Sequence, residues 1–174
     1  GSHVGPKVCH TSGRELPISF RAWVAAQRHM GFEMDPRELS SEDKLILKSV
    51  TQWWKENRDW MMNANILRLP CIDKSVIAEI QMNSNRDHFV VFAGQNVASE
   101  LSSSAPLVLA GLESQSMYNI SLLNKKEIKS LGKLQQGLMT KKLKLSGQYL
   151  MTKGLQLPKV FPANMMVIEG DKAA

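Results

Sequence analysis

Residues 31–65, GFEMDPRELSSEDKLILKSVTQWWKENRDWMMNAN, contain the change of rhythm on which the fold turns. Phe32-Glu33-Met34-Asp35-Pro36 is too short for a helix, and its closing proline steers Asp35 toward extended geometry, so the segment reads as a short strand. Ser40, followed by Glu42 and Asp43, then offers a side-chain oxygen to free N–H groups and negative charge to the positive end of a helix dipole. Ile46, Val50, Trp53, Trp54, Asn57, Trp60 and Met61 recur at steps of three and four. A long helix therefore runs to about Met62, with one face expected to bury three tryptophans. After Asn65 the period drops to two.

Upstream, Pro17 to Met30 reads as a helix with Ile18, Phe20, Trp23, Val24 and Ala26 on a broad apolar side. Pro17 suits its first turn and Gly31 stops it. Downstream, Val76, Ala78, Ile80 and Met82 alternate with Ile77, Glu79, Gln81 and Asn83, the pattern of a half-buried strand. Further strands are expected at Ile66 to Leu69, His88 to Ala93, Leu107 to Ala110, Tyr118 to Leu123, Leu143 to Ser146, Tyr149 to Thr152 and Asn164 to Glu169. Turn residues separate several of them, a spacing that suggests an antiparallel sandwich. A helix-strand-helix unit cannot cover its own parallel strand. Either the first half packs on the sandwich, or it belongs to a larger α/β barrel.

The chain has 174 residues, 43 % of them hydrophobic, enough for one ordinary domain or two small pieces. Its apolar runs, such as Phe89 to Ala93, fall short of the roughly 20 residues that cross a bilayer. The net charge of +6 comes largely from Lys125, Lys126, Lys129, Lys133, Lys141, Lys142 and Lys144. Aromatic residues are absent between Tyr118 and Tyr149, so this stretch has no stacking platform for single strands and reads as a solvated loop and edge. Cys9 and Cys71 form no CxxC pair, which argues against a disulfide framework or zinc ribbon and mildly favours a reducing compartment.

The candidate chemistry is sparse. Cys9 beside His10 lacks a third orienting group, and adjacent side chains rarely face one another. His3, Cys9, His10 and His29 lack any standard metal-ligand spacing. Glu33 and Asp35 stand two apart on a strand that Pro36 closes. Trp53, Trp54 and Trp60 could form a sugar platform, but their helical spacing favours core packing.

Several segments, taken in order, carry a family likeness. In the first half they are Ser2-His3-Val4-Gly5-Pro6, His10-Thr11-Ser12-Gly13-Arg14, Gly31-Phe32-Glu33-Met34-Asp35-Pro36, and Trp53-Trp54-Lys55 leading to Arg58. In the second they are Phe89-Val90-Val91-Phe92, Gly111-Leu112, Leu122-Leu123-Asn124, Gly154-Leu155-Gln156-Leu157-Pro158 and Glu169-Gly170. Together they resemble the C-terminal end of family 36 glycoside hydrolases, the α-galactosidases.

The resemblance implies an α+β chain: the last βα units of a (β/α)8 barrel followed by an antiparallel β-sandwich. Residues 1–64 would end the catalytic barrel, with Gly1 to Val4 ending strand seven, residues 17–30 helix seven, residues 31–35 strand eight and residues 41–62 helix eight. Residues 65–174 would be the C-terminal β-sandwich domain. Family members hydrolyse terminal α-linked galactose of oligosaccharides with retention, using two aspartates whose carboxyl groups stand about 5–5.5 Å apart. In the family both lie on earlier barrel strands, so no catalytic residue is expected here and the fragment alone should be inactive.

His3, His10, Arg14 and Asp35 would fall at the barrel rim and are the substrate-binding candidates. No cofactor or metal is expected. The expected partners are α-galactoside oligosaccharides, reached through the rest of the barrel, without nucleic acid or membrane. The parent would be a cytoplasmic homo-oligomer. The alternative is a non-catalytic sandwich that binds carbohydrate or an anionic partner, or serves assembly.

Overall fold

The computed structural model describes residues 2–131 and 137–174, so Gly1 and Lys133 of the readings above lie outside the described residues. The chain divides into two compact units between Met62 and Asn63.

The first unit runs β1 (Ser2–Val4), α1 (Ile18–Ala26), β2 (Met30–Phe32), a 3-10 turn (Pro36–Glu38) and α2 (Ser41–Met61). β1 and β2 are parallel, with Ser2 opposite Met30, His3 opposite Gly31 and Val4 opposite Phe32. Ser40 caps α2 through its hydroxyl, which accepts from the Asp43 N–H at 3.1 Å. Val4, Ile18 and Ala25 form the buried centre, with Met30, Met34, Leu39, Ile46 and Leu47 packed around it. The helices thus cover the face of the strands that carries Val4 and Met30. Side chains alternate along a strand, so His3, Gly31 and Glu33 point to the opposite face.

Three expectations need correction in this unit. The helix read from Pro17 to Met30 stops at Ala26, because Met30 must already be extended to pair with Ser2. The Arg28 carbonyl that follows the helix is satisfied by the Trp54 indole N–H at 2.8 Å. The strand read at residues 31–35 lies at Met30–Phe32, and after one more bond, Glu33 N–H to the Val4 carbonyl, Asp35 turns the chain by capping the 3-10 turn. Of the three tryptophans expected to be buried, only Trp53 is; its ring meets Trp23 edge-on, with centroids 5.2 Å apart. Trp54 sits next to Trp53 in sequence and so cannot share its heading. Trp54 and Trp60 are half-buried, each placing its indole N–H on an acceptor: Arg28 for the first, Asn57 for the second.

The second unit comprises β3 (Asn65–Leu69), β4 (Val76–Met82), β5 (His88–Gln95), β6 (Pro106–Leu107), β7 (Met117–Leu122), β8 (Leu143–Ser146), α3 (Gly147–Thr152), β9 (Leu155–Gln156) and β10 (Asn164–Lys172). Six strands make one antiparallel sheet in the order β3-β4-β5-β10-β7-β8, and β6 and β9 form a separate two-stranded ribbon. The pairing register places Ala78, Ile80, Val91, Ala93, Ile168, Ile120 and Leu122 on one face. Leu107, Leu109, Leu138, Leu150, Leu155 and Leu157 from the ribbon, α3 and the loops close over them in a single cluster. The second layer of the unit is thus built from the two-stranded β6-β9 sheet, α3 and loops. β5 is buried from Phe89 to Gln95, on both faces, which is why its sequence is a continuous apolar run instead of an alternation.

Tyr149 to Thr152, expected as a strand, lies in α3. The Ser146 hydroxyl caps this helix by accepting from Tyr149 N–H at 3.0 Å. Gly147 lets the helix start against the Glu113 carbonyl, which a Cβ would overlap. The strand expected at Leu107 to Ala110 is reduced to Pro106–Leu107, because Leu109 N–H bonds instead to the Leu150 carbonyl of α3. The last strand extends past Glu169 to Lys172, with Gly170 opposite Phe89 so that the ring lies where a Cβ would be.

β7 ends at Leu122, yet its pairing with β10 continues through a side chain. Leu123 N–H bonds the Val167 carbonyl at 2.8 Å. The buried Asn124 then donates Nδ2 to the Met165 carbonyl at 2.7 Å and accepts from Val167 N–H at 3.0 Å through Oδ1. One amide side chain thus supplies both the donor and the acceptor of a missing peptide unit. Replacing Asn124 by Ala should strand both backbone groups and lower stability by about 2–6 kcal/mol, measured by urea unfolding, since each buried orphan costs about 1–3 kcal/mol. Asn124→Ala at wild-type stability would contradict this.

Candidate functional site

Segments that leave the C-terminal ends of parallel strands carry function most often, and here they are Gly5 to Pro17 after β1 and Glu33 to Ser40 after β2. The first is a small hairpin. Leu16 N–H bonds the Lys7 carbonyl at 3.1 Å and Cys9 N–H the Arg14 carbonyl at 2.9 Å, while Gly13 (φ 67°) turns the tip with its N–H on Cys9 at 2.8 Å. His10 and Arg14 are both exposed on this hairpin. The Cys9 thiol is pulled below its ordinary value by the Ser12 side chain first and the Ser12 and Thr11 backbone next. Its stabilising neighbours are Ser12 and Thr11; His10 is not among them.

His3 lies across the pair of strands from Gly31, and its imidazole occupies the space that a Cβ at Gly31 would fill. Glu33, two residues on and therefore on the same face, brings Oε1 to 3.8 Å from His3 Nδ1. Asp35 is engaged elsewhere. Its Oδ1 accepts from Arg37 N–H at 2.9 Å and Nε at 3.0 Å, and its Oδ2 from Nη2 at 2.6 Å, which holds the carboxyl below its usual range. The structure thus brings His3 together with Gly31 and Glu33, His10 with Arg14 on one hairpin, and Asp35 with Arg37.

Arg21 escaped the sequence reading. It is buried on α1, donating Nη1 to the Gly5 carbonyl at 2.6 Å and Nε to the Leu16 carbonyl at 3.0 Å, with Met34 Sδ at 3.9 Å. Burial lowers its pKa, opposed by the charge of Asp43. The signal was present: Ile18, Arg21, Ala22 and Ala25 fall at helical spacing, so a charge occupies a core position. Glu33 could likewise have been paired with His3 once Gly31 was seen as a slot.

In the second unit a pocket of about 250 Å³ is lined by Ile72, Asp73, Ser75, Val97 and Glu100, among others. The Asp73 carboxylate on its wall is already committed. Asp73 Oδ1 accepts from Ser75 N–H at 2.9 Å and Ser75 Oγ at 2.5 Å, and Oδ2 from Ser99 Oγ at 2.5 Å. Burial pushes this carboxyl up, but the serine hydrogen bonds and Lys159 outweigh it, and the net shift is downward. Among the described residues, groups of three or more His, Cys, Asp or Glu able to hold a metal ion are absent.

Comparison with known proteins bears on the whole chain. Residues 77–172 match the model of the glycosyl hydrolase family 36 C-terminal domain. An α-galactosidase of Escherichia coli is 24 % identical over 179 residues, covering 99 % of this chain and 25 % of that protein. A probable α-galactosidase G of Aspergillus terreus is 27 % identical over 122 residues, covering 69 % of this chain and 17 % of that protein. The chain therefore spans a quarter or less of the length of these relatives. Solved structures of α-galactosidases share its fold. The galactosidase domain of the α-galactosidase-sucrose kinase AgaSK superposes with a TM-score of 0.81 at 19 % identity, covering 99 % of this chain and 22 % of that one. The family 36 α-galactosidase AgaB of Geobacillus stearothermophilus gives 0.79 at 22 % identity with the same coverage.

The stacking of His3 on Gly31 can be checked in solution. Gly31→Ala should swing the imidazole aside, abolishing the nuclear Overhauser contact between His3 Hδ2 and the α-proton of residue 31, while the rest of the strand pair stays in place. A retained contact would show that the ring does not rest there.

Proposed function

This chain belongs to glycosyl hydrolase family 36, and we propose that it is the C-terminal part of a retaining α-galactosidase that removes terminal α-linked galactose from oligosaccharides. In this reading residues 1–64 end the catalytic (β/α)8 barrel, with β1 and β2 as its last two strands and α1 and α2 as the helices after them. Residues 65–174 are the β-sandwich that follows.

The observation that carries the reading is the one-sided cover of β1 and β2. Helices lie on the Val4 face, as they do outside a barrel, while His3, Gly31 and Glu33 face the side that a closed barrel turns inward. The exits of both strands then open onto the catalytic end. His3 and Glu33 line the inner wall there, and His10 and Arg14 stand above it on the hairpin. Asp35 shapes the rim through Arg37 rather than by meeting sugar with a free carboxylate.

Retaining hydrolysis needs one carboxylate to attack the anomeric carbon and a second carboxyl to protonate the leaving oxygen, about 5–5.5 Å away. Both belong to strands that precede residue 1 in the family, so the 174 residues supply walls and support and leave the acid and nucleophile to the rest of the barrel.

The test compares two polypeptides on a nitrophenyl α-galactoside, the 174 residues alone and the same chain continuous with the preceding barrel strands. The longer one should release nitrophenol and α-galactose, and the shorter one nothing above buffer. Hydrolysis by the short chain, or none by the long one, would overturn the proposal.

A further inference from the structure

We propose that Arg21 is a positioning residue that fixes the mouth of the sugar site by tying the exits of both strands to α1. The functional half of this statement rests on the α-galactosidase reading above; the anchoring half stands on geometry alone.

A guanidinium at a core position of a helix is an unfavourable choice if packing is all that is required, because desolvating a charge is costly and an aliphatic chain would fill the space. Arg21 is only 8 % exposed. Its partners show what the charge is used for. The Gly5 carbonyl is the first after β1 and the Leu16 carbonyl is at the foot of the hairpin before α1, so two arms of one guanidinium hold both ends of the same loop. Met34, on the chain leaving β2, meets the Nη1 that holds Gly5. One rigid planar fork therefore sets the distance between the hairpin bearing His10 and Arg14 and the segment bearing Glu33 and Asp35.

Lysine could not do this, since a single ammonium on a flexible stem reaches one carbonyl at a time and lacks the fixed fork. The hairpin tip adds little fixation of its own, because its side chains from Cys9 to Glu15 are exposed. If Arg21 lets go, the foot of the hairpin loses its anchor, its cross-strand bonds should open more often, and the residues it places over the sugar should shift with it. The catalytic carboxylates lie on other strands in this reading, so the loss should fall on binding rather than on the chemical step.

The test uses Arg21→Met and Arg21→Lys. In the 174-residue chain, hydrogen exchange of the Cys9 and Leu16 amides should quicken about tenfold in both variants as the loop foot opens, while the Val50 and Trp53 amides in the middle of α2 keep wild-type protection and report an intact first unit. In the chain continuous with its preceding barrel strands, KM for the nitrophenyl galactoside should rise about tenfold with kcat retained, because the interaction lost holds substrate and transition state alike. A merely structural role would lower the amount of active enzyme, hence apparent kcat, and leave KM unchanged. Wild-type protection of Cys9 and Leu16 in both variants, or an unchanged KM with reduced kcat, would overturn the inference. If the unsubstituted long chain hydrolyses no α-galactoside, the functional reading fails by itself, and the exchange measurement alone decides whether Arg21 anchors the loop.

Discussion

Two parallel strands cannot satisfy themselves. Each presents N–H and C=O groups on both sides, and a pair fills only the inner ones. In the first unit β1 and β2 pair with each other, and among the described residues no further strand joins either outer edge. One face of the pair is covered by helices and the other is not. The proposed function starts from that asymmetry, which is the arrangement that two strands of a closed barrel with outer helices would show. Val4 and Met30 face the helices, and His3 and Glu33 lie on the opposite face.

The second unit meets the same requirement internally. Its six strands pair with β10 inserted between β5 and β7, the centre of the sheet is apolar on both faces of β5, and a layer of ribbon, short helix and loop closes one side. Where β7 runs out, Asn124 stands in for the backbone, so the ladder to β10 is not broken inside the core. Tyr118 does a similar service near the other end: its buried hydroxyl donates to the Arg86 carbonyl at 2.9 Å and accepts from Glu113 N–H at 3.1 Å, while its ring meets Phe89 edge-on. These residues satisfy polar groups that loops would otherwise leave buried and unmade.

Much of this was legible because it is periodic. The α2 helix declared itself by its cap and its steps of three and four, β4 by its alternation, β5 by its unbroken apolar run. The family likeness added order to these pieces. What was misread is set by contacts that sequence does not display. α1 ends early because Met30 is claimed by a strand partner 28 residues away. Tyr149 to Thr152 looks extended by composition, but the Ser146 cap and the close approach of Gly147 to Glu113 make a helix turn there. The candidate residues were found through the family pattern, whereas the partners of Arg21 and of Glu33, which the sequence sets only beside Asp35, emerged once the chain was folded, since their meaning lies in which carbonyl or imidazole stands opposite.

The central claim is that the first unit is an incomplete sheet and the second a complete one, and native-state hydrogen exchange of the 174-residue chain tests it most directly. The Glu33 amide, bonded to the Val4 carbonyl, should exchange through openings at least about a hundredfold more frequent than those that expose Val91 and Val167 in the middle of the large sheet. Equal protection of Glu33 and Val91 would mean that the strand pair is as firmly held as the middle of the six-stranded sheet, and the barrel account would not stand.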